Sequence, residues 1–446
     1  MLKRIFIIIL LSSVLLYALD NLTIYNDNLA VFKTELDLHL QKGIQNYLYN
    51  DIPERIEPSS LIFSSKNKNL FLFSQNYEYD LADTDAILKK YINSNISIIM
   101  KDNTEFDGIL LFFNMNTIGL QDEKTKELNL LNKQEIKSIK LLNLPSNFYT
   151  KPTLNWQLNA PLTGKYPVTI SYITRGLSWY VTYNAVLIQN KVQISPWVTI
   201  NNQSGKSYDQ VVLKLVAGEL NKVDTYRAGN VLYSKDAMME RSSPTFEEKS
   251  FADYHLYTLD QKASINDKQI KQMLLFDTKE ITIERIYRYD SSQYSNNKVK
   301  STINFKNTKK NGLGIPLPKG IVKLYQYDDA DNNIEFIGED DLPHTSIDQN
   351  VLLTIGNAFD VIANTKIIKD IKIGNDIEQQ FEVKIQNKKI EPIKLIISHY
   401  IGNNNYKIIE KNFEYTEKDA YTITIERNIK AGETDVIRWT QRIKRR

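Results

Sequence analysis

The chain has 446 residues, 42% hydrophobic and 24% charged, a balance that fits a folded protein of several domains and excludes a disordered one. Lys and Arg number 56 against 53 Asp and Glu, a formal net charge of +3, so no global field draws it to nucleic acid or acidic membranes. Cysteine is absent, which excludes disulfides, thiolate metal sites and a cysteine nucleophile.

The first residues read as a secretory signal peptide over 1–18. Lys3-Arg4 forms a positive n-region, Ile5 to Leu16 an apolar h-region, and Ala18 a small residue at the cleavage point ahead of Asp20. The apolar run is shorter than the roughly twenty residues a spanning helix needs. The expectation is a periplasmic or secreted protein without a transmembrane span in the mature chain, and without a cysteine for lipid attachment.

From residue 19 to about 80 the pattern predicts a small all-β domain. Leu22 to Tyr25 and Leu29 to Leu38 alternate around Asn26-Asp27-Asn28, and Ile44 to Tyr49, Ser60 to Phe63 and Leu70 to Phe73 follow. Residues 83–143 open with a capped helix carrying Ile87, Leu88 and Tyr91, followed by about five short strands, the layout of a small SH3-like or Sm-like barrel. The run Asp107-Gly108 to Met115-Asn116 resembles the first Sm motif, which implies RNA binding. The Arg-Gly element of the second motif is missing near Asn132 to Ile136, and no basic stripe with interleaved aromatics marks a phosphate track, so no nucleic-acid partner is expected. Phe113 and Met115 are assigned to the core.

A linker at Leu142 to Thr153 leads into a β-sandwich domain over 154–375. Its clearest stretch is Ser171 to Gly218, a strand meander with Trp179 and Tyr183 as expected core anchors and Asn201 to Ser207 as an exposed turn. Residues 221–250 lose periodicity and read as a long exposed loop. Asn311 to Gly320, NGLGIPLPKG, is irregular because its prolines and glycines forbid a paired ladder. Five strands at short spacing over 376–446 predict a C-terminal immunoglobulin-like sandwich.

YITRGLSWYVTYNAVL, VTINNQSGKSYDQVVLKLVAGEL, DYHLYTLDQKASINDKQIKQMLLF and the segment from NGLGIPLPKG to GNAFDV occur in that order. Together with the opening LTIYNDNLAVFKTELDL they resemble the bacterial domain-of-unknown-function family four-one-three-nine, found in exported mucoidy-inhibitor-like proteins. Trp-Tyr-Val-Thr-Tyr stands where the family commonly has Trp-x-Pro-x-Tyr, and the small barrel stands where many relatives carry a coiled coil. The resemblance implies an exported all-β protein and supplies no reaction.

Candidate chemistry is sparse. His39, His255, His344 and His399 are the only histidines, and no two have metal-motif spacing, so the fold alone would have to assemble a zinc site. No G-x-S-x-G elbow is present, which leaves a Ser-His-Asp triad neither shown nor excluded. Asp328, Asp329, Asp331 and Asp340 supply carboxylates on adjacent hairpin loops, the hard oxygens calcium prefers, although the spacing fails as an EF-hand. Solvated turn acids are the alternative. Trp179, Tyr180 and Tyr183 either stack sugar rings from an exposed face or pack the sandwich core. The leading expectation is a non-enzymatic cell-envelope β-scaffold that binds a protein or glycan partner and uses no cofactor. The alternatives are a cation-dependent envelope hydrolase acting on polysaccharide, with calcium at the acidic cluster, and nucleic-acid binding through the barrel.

Overall fold

The computed structural model describes residues 20–79, 84–143, 148–218, 246–251, 254–293, 298–328 and 330–444. The expected signal peptide, residues 221–245 of the expected loop, and Asp329 lie outside the described residues. The described chain is almost entirely β, organised in several antiparallel and mixed sheets, with one short α-helix at Thr84–Lys89 and a few single 3-10 turns. Among the described residues no helix is long and apolar enough to cross a membrane.

The anticipated N-terminal domain is not a separate body. Strand Asn21–Tyr25 lies between Leu29–Leu40, antiparallel, and Tyr208–Ala217, parallel, with Asn21 opposite Val212. Gly164–Thr174 continues this eight-stranded sheet and carries Ile62–Ser65 as its edge. Tyr254–Leu259 and Phe246–Phe251 extend its other side, so residues 246–250 are strand rather than the expected loop. Leu22, Ile24 and Phe32 therefore share one core with Leu154, Trp179 and Leu353. Residues separated by hundreds of positions cannot be assigned to one core from local pattern, so the sequence predicts a boundary near 80 that the shared core does not have.

Facing this sheet is a six-stranded one built on Leu177–Ile188 and Lys191–Asn202. These strands alternate buried and half-buried residues along their length and pair from Leu177–Asn202 to Ile188–Lys191 around a two-residue turn. The turn after them is exposed only in part, at Gln203 and Ser207. Asn202 and Ser204 are fully buried; Asn202 Nδ2 donates to the carbonyls of Lys206, Ile265 and Asn266, while its Oδ1 accepts from the Ser204 amide and hydroxyl. One side chain thus satisfies a loop that would otherwise bury unpaired backbone.

Residues 84–143 form their own body. The five-stranded sheet runs in the order Ile136–Leu141, Asn95–Met100, Glu105–Phe113, Thr117–Gln121, Leu128–Asn132, with a 3-10 turn at Lys133–Glu135. Strand order and helix follow the anticipated layout, but the outer strands do not pair, so the expected closed barrel does not form. Leu88, Tyr91, Ile98 and Leu120 fill its core, against which Phe113 packs half-buried. Met115 corrects the expectation: it is 89% exposed, at the tip of a loop whose amides Asn114 Oδ1 caps.

The C-terminal sandwich begins earlier than residue 376. Its six-stranded sheet includes Glu284–Asp290, Lys300–Lys306 and Asn350–Asn357 beside Ile393–Tyr400 and Thr422–Ile429. The opposing sheet pairs Val361–Ile373 with Asp376–Asn387 in one hairpin, so the anticipated boundary falls in its turn. Phe381, Leu395, Ile425 and Trp439 form the core between these sheets.

The irregular 312–319 segment makes one isolated antiparallel bridge, Leu317 to Thr345, and side chains hold its other carbonyls. Tyr257 Oη donates to Pro316 O (3.0 Å), Tyr183 Oη to Pro318 O (2.6 Å) and Asn307 Nδ2 to Ile315 O (2.8 Å). Tyr183→Phe leaves the buried Pro318 carbonyl unpaired and should lower stability by about 1–3 kcal/mol, read as a lower urea midpoint at unchanged m-value.

Candidate functional site

Of the acidic residues that the structure describes, Asp328 and Asp331 share one turn and Asp340 lies apart from them. Asp328 Oδ1 accepts from the Ala330 amide and Asp331 Oδ1 from the Asn333 amide, so both cap their own hairpin turn. Asp340 sits on strand Ile334–Leu342, six residues beyond its first position, roughly 20 Å along an extended chain. There Asp340 Oδ2 accepts from the Thr354 amide at 2.6 Å and Oδ1 from the Asp341 amide at 3.0 Å. Thr354 adjoins a bulge in its strand, and a Cβ at nearby Gly338 would collide with the Ile355 carbonyl. Asp340 is a clasp between two strands that do not pair. Among the described residues no three His, Asp or Glu side chains are grouped to hold a metal ion.

The aromatic expectation resolves toward the core. Trp179 and Tyr183 are each 1% exposed, with Trp179 Nε1 donating to Val216 O at 3.3 Å and Tyr183 holding Pro318. Neither is available to a sugar ring. Tyr180 points to the opposite, half-buried face of the strand, as period-two geometry requires.

The histidines separate into three environments. His39 is exposed on the Leu29–Leu40 strand. His399 is buried, edge-on to both Phe381 and Trp439 (4.8 Å each), and shares a 3.0 Å hydrogen bond with Ser291 Oγ. Burial holds its imidazole down at about 4, against a smaller opposing effect of Asp290. Asp290 directs its carboxylate to Ser292 and Gln293, so Asp290, Ser291 and His399 do not form a relay. Ser291 is wholly buried and offers no attacking oxygen to a substrate.

His255 and His344, far apart in sequence, line one pocket with Tyr257, Pro316, Leu317 and Thr345. Its volume, about 30 Å³, holds about one water. His255 Nδ1 pairs with Glu248 Oε1 at 2.8 Å, whereas His344 Nδ1 accepts from the Lys319 amide at 3.2 Å. A neutral His344 then carries its proton on Nε2 and presents a donor there, not a metal-binding lone pair.

An open surface lies elsewhere, on a three-stranded sheet of Gly43–Tyr49, Thr153–Ala160 and Phe71–Glu78. Its inner face packs Trp156, stacked on Tyr49 at 5.3 Å, edge-on to Phe63 at 5.5 Å, and hydrogen-bonded through Nε1 to Gln75 Oε1 at 3.0 Å. The outer face forms three rows across the strands: Ile44-Asn159-Phe71, Asn46-Gln157-Ser74 and Leu48-Asn155-Asn76. A bulge opposite Gln157 and Leu158 adds Phe73 to the exposed side. Ile44, Leu48, Phe71 and Phe73 are each more than half exposed. No charged residue stands in these rows; Glu78 comes only at the far end, opposite Thr153.

Beside this face the chain leaves Ile62–Ser65, the edge of the eight-stranded sheet, and enters Phe71–Glu78, the edge of the three-stranded one. The two strands are consecutive yet join different sheets, and the splay opens a groove of about 580 Å³ lined by Phe63, Asn67, Leu70 and Phe71, with Lys68 as its one charged residue. The sequence pattern locates these strands but assigns Thr153–Ala160 to a different domain from Gly43–Tyr49 and Phe71–Glu78, so it shows neither the open face nor the groove.

Two predictions follow from these environments. His399 is neutral when folded and protonates freely when unfolded, so its contribution is complete above pH 6.5 and declines as pH falls toward 4, by about 3 kcal/mol in all. The pH dependence of urea stability over that window should flatten in His399→Asn. Asp340→Ala should cost about 1–3 kcal/mol, equally in calcium and in EDTA, because it removes a backbone clasp.

No family model matches the chain, and no curated protein matches it.

Proposed function

We propose that the protein is an exported, non-enzymatic β-scaffold of the bacterial cell envelope that engages a macromolecular partner through its open three-stranded sheet and the adjoining groove. One observation carries the reading: four large apolar side chains, Ile44, Leu48, Phe71 and Phe73, stand more than half exposed on one uncharged sheet face continuous with a groove. Clustered exposed apolar groups on a rigid sheet are the mark of an interaction surface, whereas single ones are ordinary. The sheet is also anchored rigidly, through Trp156 and its aromatic neighbours, so the face is preorganised and loses little entropy on binding.

Export rests on the basic-apolar-small pattern of Lys3-Arg4 to Ala18 and on the family resemblance of the Ser171 to Gly218 and NGLGIPLPKG segments. The scaffold reading agrees with the way chemistry-bearing side chains are occupied. Asp340 clasps Thr354, His399 fills a core, and His344 caps Lys319.

A photo-reactive benzophenone amino acid at position 48 tests the proposal, since it inserts into C–H bonds of proteins and glycans alike. In intact envelopes it should give a discrete heavier adduct, while the same probe at Ile390, 99% exposed between strands Asp376–Asn387 and Ile393–Tyr400, should not. Identical patterns from the two positions would count against the proposal.

A further inference from the structure

The outer face of the three-stranded sheet carries five carboxamides: Asn46, Asn76, Asn155, Gln157 and Asn159. None has a side-chain hydrogen-bond partner among the described residues, and Asn155 Oδ1 is shielded from solvent and still unpaired. By contrast Asn202, Asn307 and Asn387, in buried turns, each hold two or three backbone carbonyls.

We infer that this face binds a neutral polysaccharide chain, with Asn155, Gln157 and Asn159 hydrogen-bonding sugar hydroxyls and Leu48, Phe71 and Phe73 supporting the apolar faces of the rings. The inference rests on the scaffold reading and names its partner. Three physical features select this ligand. A carboxamide offers donors and an acceptor together, which matches hydroxyl groups that are themselves both. The three central amides repeat at about 7 Å along one strand, and neighbouring strands add polar groups at about 4.8 Å across, a regular two-dimensional array suited to a repeating polymer. The ten residues of the face carry no charge, so it has nothing to neutralise an acidic polymer or a phosphate backbone.

Other occupants fit less well. A peptide strand would add to the free edges, Gly43–Tyr49 or Phe71–Glu78, and leave the central amides of Thr153–Ala160 unengaged. A second copy would bury the amides of both chains in an interface, where each needs a partner, against the apolar cores typical of stable homodimers.

Native affinity electrophoresis of the full chain tests this, with a soluble β-glucan, a mannan and anionic polygalacturonate in separate gels. The β-glucan or the mannan should retard the chain with little dependence on salt. The triple variant Gln157→Ala, Asn159→Ala, Phe73→Ala should weaken the retardation at least tenfold while its melting temperature stays close to the parent's. Each changed side chain lies on the outer face, and the single variant Gln157→Ala, at an exposed position, guards against a folding defect by losing part of the effect. Retardation by neither neutral polymer, by the anionic polymer alone, or equally in parent and variant would overturn the inference. A parent dimer in sedimentation that the variant abolishes would assign the face to a second copy and overturn it as well. If the position-48 adduct persists while no neutral polymer binds, the glycan inference alone falls; loss of both removes the scaffold reading.

Discussion

The larger body of this protein depends on one long-range strand pairing. Asn21–Tyr25 lies parallel to the Tyr208–Ala217 strand and antiparallel to Leu29–Leu40, with Leu22 and Ile24 wholly buried. This placement joins the first described residues to the meander near residue 210 and makes a single core of both. The closing of so long a loop is offset by continuous burial on one face and by a complete ladder on each side. The Lys206 ammonium reinforces the junction: it reaches Asp51 at 2.5 Å and lies over the Phe32 ring at 5.2 Å. Burial pushes that ammonium's pKa down, and Asp51 opposes the shift.

The same junction explains the open sheet. Once Leu29–Leu40 and Gly164–Thr174 belong to the eight-stranded sheet, Gly43–Tyr49 and Phe71–Glu78 take the strand Thr153–Ala160 between them. Three strands suffice to bury Trp156 on one side, and no further layer covers the other among the described residues. The five-stranded body over 84–143 departs after Glu78 and returns before Thr153, residues that face each other across the sheet. It is therefore an insertion into one strand pair, which leaves the parent sheet's register unbroken.

Much of the fold was legible locally. Period-two alternation located Leu177–Ile188 and Lys191–Asn202, the apolar spacing marked Leu88 and Tyr91 as core, and the prolines of NGLGIPLPKG announced an irregular path. Trp179 and Tyr183 proved to be core anchors for the reason that large aromatics usually are. Met115, and Asn202 and Ser204 within the expected exposed turn, depart from expectation because exposure is not a property of residue type. A methionine at a loop tip has nothing to pack against, and Asn202 is buried because carbonyls from two distant segments converge on it.

By itself the sequence determined the β class, the exclusion of cysteine chemistry and the positions of most strands, because alternation and turn residues act over a few neighbours. Only the tertiary structure decided which strands share a sheet, where bodies begin and end, and what each polar side chain touches. Asp328 and Asp340 look like one cluster in sequence and are far apart along a strand. Asn46, Asn76 and Asn155 look unrelated and form one surface. Side-chain proximity is set by pairing and register, and these are summed over the whole chain.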